Sequence, residues 1–352
     1  WGPATVAGTT ILAGNKTNRG GLFAIDMASG KVKWTHRPVF SSGTASVSTP
    51  PAVSGDIVIT PYAAAYPGAV VGVSLATGKE VWRGPDPAQG AAAAAHTGLA
   101  YVLGKNGNFY ALEAATGRER WKAAFSTNRA VCASQPIVRD NVIYLTGSAE
   151  AVAGDAARPA GYYLFALDAT TGQERWRYRA EAPDARQGVC LSQPVVTANA
   201  ILAAGESRVY MVQRATGGDR RKPVEVRRTV EGRDRAVEIF GLVDAGQVVM
   251  VLTPVSLIAI DKDSGRSAWE LAGQYRDRAM AVAGNVLYFQ GSPESKPAVA
   301  PGGTLHALDL ETRRILWSFT RQTAEPNWPF GHVTPVDGGL WVDSYQALVK
   351  LQ

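Results

Sequence analysis

The sequence predicts an all-β fold of eight tandem, four-stranded antiparallel sheets, and three observations carry that prediction. The first is a recurrent pattern: an apolar strand ending in Asp, a Ser/Thr-Gly turn, and Trp four residues after the Gly. Leu22-Phe-Ala-Ile-Asp26-Met-Ala-Ser-Gly30-Lys-Val-Lys-Trp34 is one copy. Leu164 to Trp176 and Leu257 to Trp269 repeat it. The second is the period: copies begin at Leu22, Val70, Phe109, Leu164, Val209, Leu257 and Leu305, with a partial copy at Leu348, spaced 39 to 55 residues apart. The third is the filling between copies, which consists of short runs of Val, Ile, Leu and aromatics bounded by turn residues. A unit of this length made of four short strands is the blade of a β-propeller.

The fourth unit shows the reading strand by strand. Ala130 to Val138 is expected as the inner strand, Asn141 to Leu145 as the second, Tyr162 to Leu167 as the third and Gln173 to Trp176 as the outer one. At the end of each third strand the Asp carboxylate is placed to accept backbone N–H groups, while Gly supplies the positive φ that closes the hairpin. Trp on a half-exposed outer strand needs a place for its ring, and the next blade offers one, with a carbonyl for the indole N–H. Trp34, Trp82, Trp121, Trp176, Trp269 and Trp317 occupy this slot, which assigns them to docking between blades. The copies also decay. The fifth has Gln213 for Asp and Arg221 for Trp, and the seventh has Arg313 for Gly, so these outer strands are expected to be the loosest.

The signature A-x-D-x-x-T/S-G-x-x-x-W resembles the PQQ-like β-propeller repeat, and the resemblance spans essentially the whole chain. That repeat is shared by quinoprotein dehydrogenases, by sensor domains of some bacterial kinases, and by BamB-like proteins of the outer-membrane β-barrel assembly machinery. The resemblance implies a single eight-bladed propeller over 1–352. It implies no cofactor as the main reading, with pyrroloquinoline quinone (PQQ) as the one candidate. The chain starts part-way along an inner strand and stops at Gln352 before the turn and outer strand of its last blade. A preceding segment is therefore expected to complete blade eight, and any signal peptide or lipid-anchoring Cys would lie there.

Composition bounds the compartment and the chemistry. No apolar run reaches membrane-spanning length, and Val248 to Ile260 is broken by Thr253-Pro254 into a hairpin. The two cysteines occupy the same position in consecutive inner strands, in Val-Cys132-Ala-Ser-Gln-Pro136 and Val-Cys190-Leu-Ser-Gln-Pro194. Equivalent positions of neighbouring blades converge toward a propeller axis, so Cys132 and Cys190 form either a disulfide or two buried thiols. A disulfide would imply an oxidising, extracytoplasmic setting. Between Arg214 and Arg235 eight Lys/Arg face four acids, much of the net charge of +6. With acids interspersed and no aromatics for base stacking, that stretch reads as a solvated basic edge, and nucleic acid is not an expected partner.

The longest connections, Ser148 to Gly161 and Gly291 to Gly303, with Pro61 to Gly68, fall between second and third strands and so share one edge of their blades. Binding residues concentrate on such loops over a rigid scaffold. Arg129, Arg235 and Arg278 stand in similar Asn/Asp-Arg-Ala contexts ahead of inner strands, and with Gln187 they are the candidate ligand- or partner-binding residues. His36, His96, His306 and His332 are scattered without metal-ligand spacing. No nucleophile elbow or phosphate loop occurs, nor the adjacent cysteines and acidic cluster of quinoprotein dehydrogenases. No catalytic or metal residues are assigned. The expectation is a non-catalytic protein–protein scaffold like the BamB-type envelope proteins, on the periplasmic side and anchored through the preceding segment, its partner an outer-membrane assembly component. A PQQ-binding sensor domain of a larger signalling protein such as a kinase is the alternative, and a quinoprotein dehydrogenase the third.

Overall fold

The computed structural model describes residues 3–15, 20–38, 46–47, 49–62, 69–84, 93–104, 108–124, 134–149, 161–181, 191–230, 233–275, 280–293, 304–320, 330–336, 339–344 and 348–351. At 149, 228–230, 233–234, 330 and 344 the description is of the backbone alone. The described residues are all-β and form a β-propeller of four-stranded antiparallel blades. Blade one is Thr5–Ala7, Thr10–Gly14, Leu22–Asp26 and Val32–His36, and six more sheets repeat that order. Blade four is Ile137–Arg139, Val142–Ala149, Gly161–Asp168 and Glu174–Ala180. Blade eight has Phe330–Val336, Gly339–Ser344 and Leu348–Leu351. The run from Val248 folds into the hairpin Val248–Leu252 and Ser256–Asp261. By density of internal contacts the chain divides into two compact units, Trp1–Val196 and Thr197–Gln352.

The signature residues have separable mechanical duties. The Asp26 carboxylate accepts the Ser29 N–H at 2.8 Å and its hydroxyl at 2.7 Å. Asp168 accepts from the Thr170 and Thr171 N–H groups, Asp261 from Ser264 and Asp309 from Thr312. These donors hold the carboxyls of Asp26, Asp261 and Asp309 below the usual carboxylate range, while at Asp168 the Arg175 guanidinium contributes most, with the Thr171 and Thr170 N–H groups adding to it. The residue two before the Asp slot lies directly across the strand from the docking residue, in the pairs Ala24–Trp34, Gly72–Trp82, Ala111–Trp121 and Ala166–Trp176. A small residue is needed there because the indole lies over it: a Cβ on Gly72 would meet the Trp82 ring at 2.1 Å. Immediately beyond each pair the register shifts by a bulge, the device that turns an outer strand out of its plane.

Within the first unit the indoles reach the next blade. Trp34 Nε1 donates to Leu75 O at 2.8 Å, Trp82 Nε1 to Ala114 O at 2.8 Å and Trp121 Nε1 to Ala169 O at 3.1 Å. Each acceptor immediately follows the Asp slot of the next copy, and the turn glycine of that copy lies against the ring. A Cβ on Gly78, Gly117 or Gly172 would approach Trp34, Trp82 or Trp121 to 2.6 Å.

The two defective copies are repaired in different ways. In blade five the pair is Met211–Arg221, so a large, flexible side chain replaces the small residue exactly where the indole is lost, and both reach the turn of blade six. A Cβ on Gly265 would meet the Arg221 stem at 3.1 Å and the Met211 sulfur at 3.8 Å. Restoring the consensus therefore needs both changes. Arg221→Trp alone is expected to destabilise by about 1–3 kcal/mol through overpacking, and Met211→Ala with Arg221→Trp to recover that loss. Urea unfolding of the four members of the cycle reads this out. In blade seven, Arg313 adopts the positive φ of the missing glycine, 59°, and sets its guanidinium over the Trp269 ring, 6.0 Å from the centroid. The outer strand Ile315–Thr320 is the most exposed of its kind, with Trp317 at 39 %.

Candidate partner-binding edge

In an antiparallel blade the connection from second to third strand leaves from the same ends as the connection onward from the outer strand. The long connections at 63–68, 150–160 and 294–303 belong to this edge and lie outside the described residues. Beneath them is a frame of side chain to backbone hydrogen bonds. Ser134 N donates to Thr146 O at 2.9 Å, and Thr146 N donates to Ser134 Oγ at 2.9 Å. The Thr146 hydroxyl, 1 % exposed, donates to Ser192 O at 2.9 Å. Gln135 Nε2 donates to Ala93 O at 3.1 Å. At the opposite edge, where the inner strand Ile137–Arg139 turns into Val142–Ala149, Arg139 Nη1 donates to Val196 O at 2.9 Å. Proline follows in both Ser-Gln-Pro copies; it donates nothing to a ladder and keeps the residue before it extended. The polar side chains accordingly take over the joining of blades three, four and the start of five.

Arg129, Cys132, Gln187, Cys190 and Arg278 lie outside the described residues. Arg235 is described, and its place differs from the expected approach to blade six, whose inner strand is Gly241–Ala245. It belongs to an added two-stranded ribbon, Arg227–Val230 paired with Arg233–Ala236, inserted between blades five and six. The Arg-Ala-Val likeness to Arg129 was misleading because an insertion shifts everything downstream of it. The informative signal was Glu231-Gly232 between two four-residue runs, a two-residue hairpin connection. The ribbon is rooted on the loop-bearing edge of blade five. Val226 N donates to Ser207 O at 2.7 Å, Val237 N to Val226 O at 3.0 Å and Ile239 N to Glu206 O at 2.6 Å.

Two histidines are buried as neutral connectors. His36 Nδ1 lies 2.7 Å from the Tyr62 hydroxyl, and Nε2 lies 3.6 Å from Glu80, which also pairs with Arg83. His306 Nε2 is 2.8 Å from Gly291 O, so it carries the proton, and Nδ1 accepts from the Ser318 hydroxyl at 2.7 Å. Burial lowers both imidazole pKa values below the ordinary 6.5, more than Glu80 restores at His36. The unfolded chain therefore binds more protons just below that value. Stability is complete above about pH 6.5 and declines as pH falls through it, whereas the turn carboxylates act only nearer pH 4. The melting temperature is expected to fall between pH 7.5 and 5.5, and to fall less in His36→Gln/His306→Gln. An equal slope in both proteins would refute the assignment. Among the described residues no three His, Cys, Asp or Glu side chains cluster as a metal site would require, and no helix is long and apolar enough to cross a membrane.

Tandem four-stranded blades, with indoles hydrogen-bonded past the Asp slot of the next copy, define a Trp-docked, PQQ-like repeat propeller. The chain belongs to the family described as outer membrane protein assembly factor BamB, whose model matches residues 1–96 and 67–319. No curated protein sequence matches it significantly. Among solved structures it is similar to BamB from Moraxella catarrhalis, with 15% identity, 99% of this chain and 95% of that one covered, and a TM-score of 0.67. A europium-containing methanol dehydrogenase gives 15% identity over 96% and 81% of the two chains, TM-score 0.67. The quinohemoprotein alcohol dehydrogenase from Comamonas testosteroni gives 14% over 97% and 69%, TM-score 0.62. At such identities the structural likeness establishes the fold, which enzymes and assembly factors share.

Proposed function

We propose that this protein is a non-catalytic scaffold of the cell envelope that holds a protein partner on the loop-bearing edge of blades two to four, as an outer-membrane assembly factor would. The observation that carries the reading is the frame beneath that edge: Gln135 and Thr146 tie blade four to its neighbours by side chain to backbone bonds, giving the loops a rigid base. Family membership supports the same reading, and with it a periplasmic location and a partner from the assembly machinery. The similarity to quinoprotein dehydrogenases keeps a quinone-binding sensor or enzyme as the competing reading. Of the three candidate arginines only Arg235 is described, and it stands on the ribbon.

The test has two arms. Capture of partners from an envelope extract is expected to fall several-fold when residues 150–160 are replaced by a short Gly-Ser linker, and equal recovery would overturn the assignment of this edge. Titration with PQQ is expected to give no binding at micromolar concentration; saturable binding there would favour the sensor or the enzyme.

A further inference from the structure

The ribbon between blades five and six is surplus to the propeller pattern, and its register distributes its charges unevenly. Arg227 pairs with Ala236, Arg228 with Arg235, Thr229 with Asp234 and Val230 with Arg233. Because successive residues of a strand alternate between faces, Arg228, Val230, Arg233 and Arg235 share one face. Three of those four positions are arginine and none is acidic, with Arg228 directly opposite Arg235. Like charges directly opposed across strands are destabilising. A ribbon of only two strands has little packing to offset that repulsion. The face thus concentrates positive charge by register, while its base is pinned to the blade-five turn by backbone hydrogen bonds at 2.6–3.0 Å.

We infer that this ribbon docks an acidic, extended segment of a partner protein, a surface separate from the loops of blades two to four. Same-face positions along a strand recur about every 6.5 Å, so carboxylates on alternate residues of an extended peptide match arginines presented on a second strand. Guanidinium groups take carboxylates in bidentate geometry, and an isolated ribbon leaves backbone donors and acceptors along its edges for strand addition. Alternation is the distinguishing requirement. A peptide with its acids in one block cannot place them on one face, and a lipid surface imposes no such spacing.

The test uses the full chain and two fluorescein-labelled peptides of equal composition, Val-Glu-Thr-Glu-Val-Glu-Thr and Glu-Glu-Glu-Val-Val-Thr-Thr, followed by fluorescence anisotropy. The alternating peptide is expected to bind at least tenfold more tightly than the block peptide. Arg228→Glu/Arg235→Glu should abolish that preference, while Lys31→Glu/Lys79→Glu, which changes net charge equally in exposed turns of other blades, should leave it unchanged. Arg228→Gln/Arg235→Gln removes charge without reversing it and should weaken binding with an unaltered or raised melting temperature. Equal affinity for the two peptides, or an undiminished preference in the ribbon variants, overturns the inference. Tighter ribbon-dependent binding to vesicles of phosphatidylglycerol and phosphatidylcholine (1:1) than to the alternating peptide also overturns it, in favour of a membrane surface.

Discussion

Replacing Trp82 with Ala is expected to destabilise the first unit by about 3–5 kcal/mol, the range for emptying a buried aromatic site. Trp82 is 8 % exposed, seals the space over Gly72, packs on Gly117 of the next blade and donates its indole N–H to Ala114 O at 2.8 Å. Truncation would open a cavity and leave that carbonyl without its donor. The same change at Trp317, 39 % exposed, has less burial to lose and is expected to cost roughly 1 kcal/mol or less. Denaturant unfolding of the two variants should therefore give clearly separated midpoints. Equal losses would show that the tryptophans do not act through burial and docking.

The second large effect is expected at Gly117. Its φ of +71° lies in the left-handed region, and a Cβ would sit 2.6 Å from the Trp82 ring. Gly117→Val combines a backbone cost of about 1–3 kcal/mol with an overpacking cost of about 1–3 kcal/mol. Gly246 supplies the control. It has φ +73° with nothing within 4 Å of a built Cβ, so Gly246→Ala should show only the backbone part, about 1–2 kcal/mol. If Gly117→Val in a Trp82→Ala background costs as much as in the wild type, the clash is not the source of the effect.

The fold was legible because each blade states its own docking rule locally: Asp, Gly and Trp fall within nine residues, and the ring's target is the same turn one copy on. The blade-five repair was not legible. Met211 looks like ordinary strand filling until its register opposite Arg221 is known, and that pairing depends on an irregular ladder. Arg313 likewise reads as a lost glycine, although an arginine can hold φ 59° when its guanidinium gains an indole face. Among the candidate site residues, alignment by short triplets misplaced Arg235. The bonds of Gln135 and Thr146 across blades were not legible because their acceptors are backbone carbonyls 42 and 46 residues away, which no motif encodes.

The direction of the indole hydrogen bonds bears on how the chain is made. Trp34, Trp82 and Trp121 each donate forward, to acceptors 41, 32 and 48 residues later. A blade emerging from the ribosome thus holds all four strands but waits for its successor's turn before its tryptophan is covered. At ribosomal speeds of 5–20 residues per second that delay is roughly 2–10 s per blade. While blades one to four are made, one uncovered indole moves along the growing chain, a travelling sticky end that a chaperone could follow blade by blade.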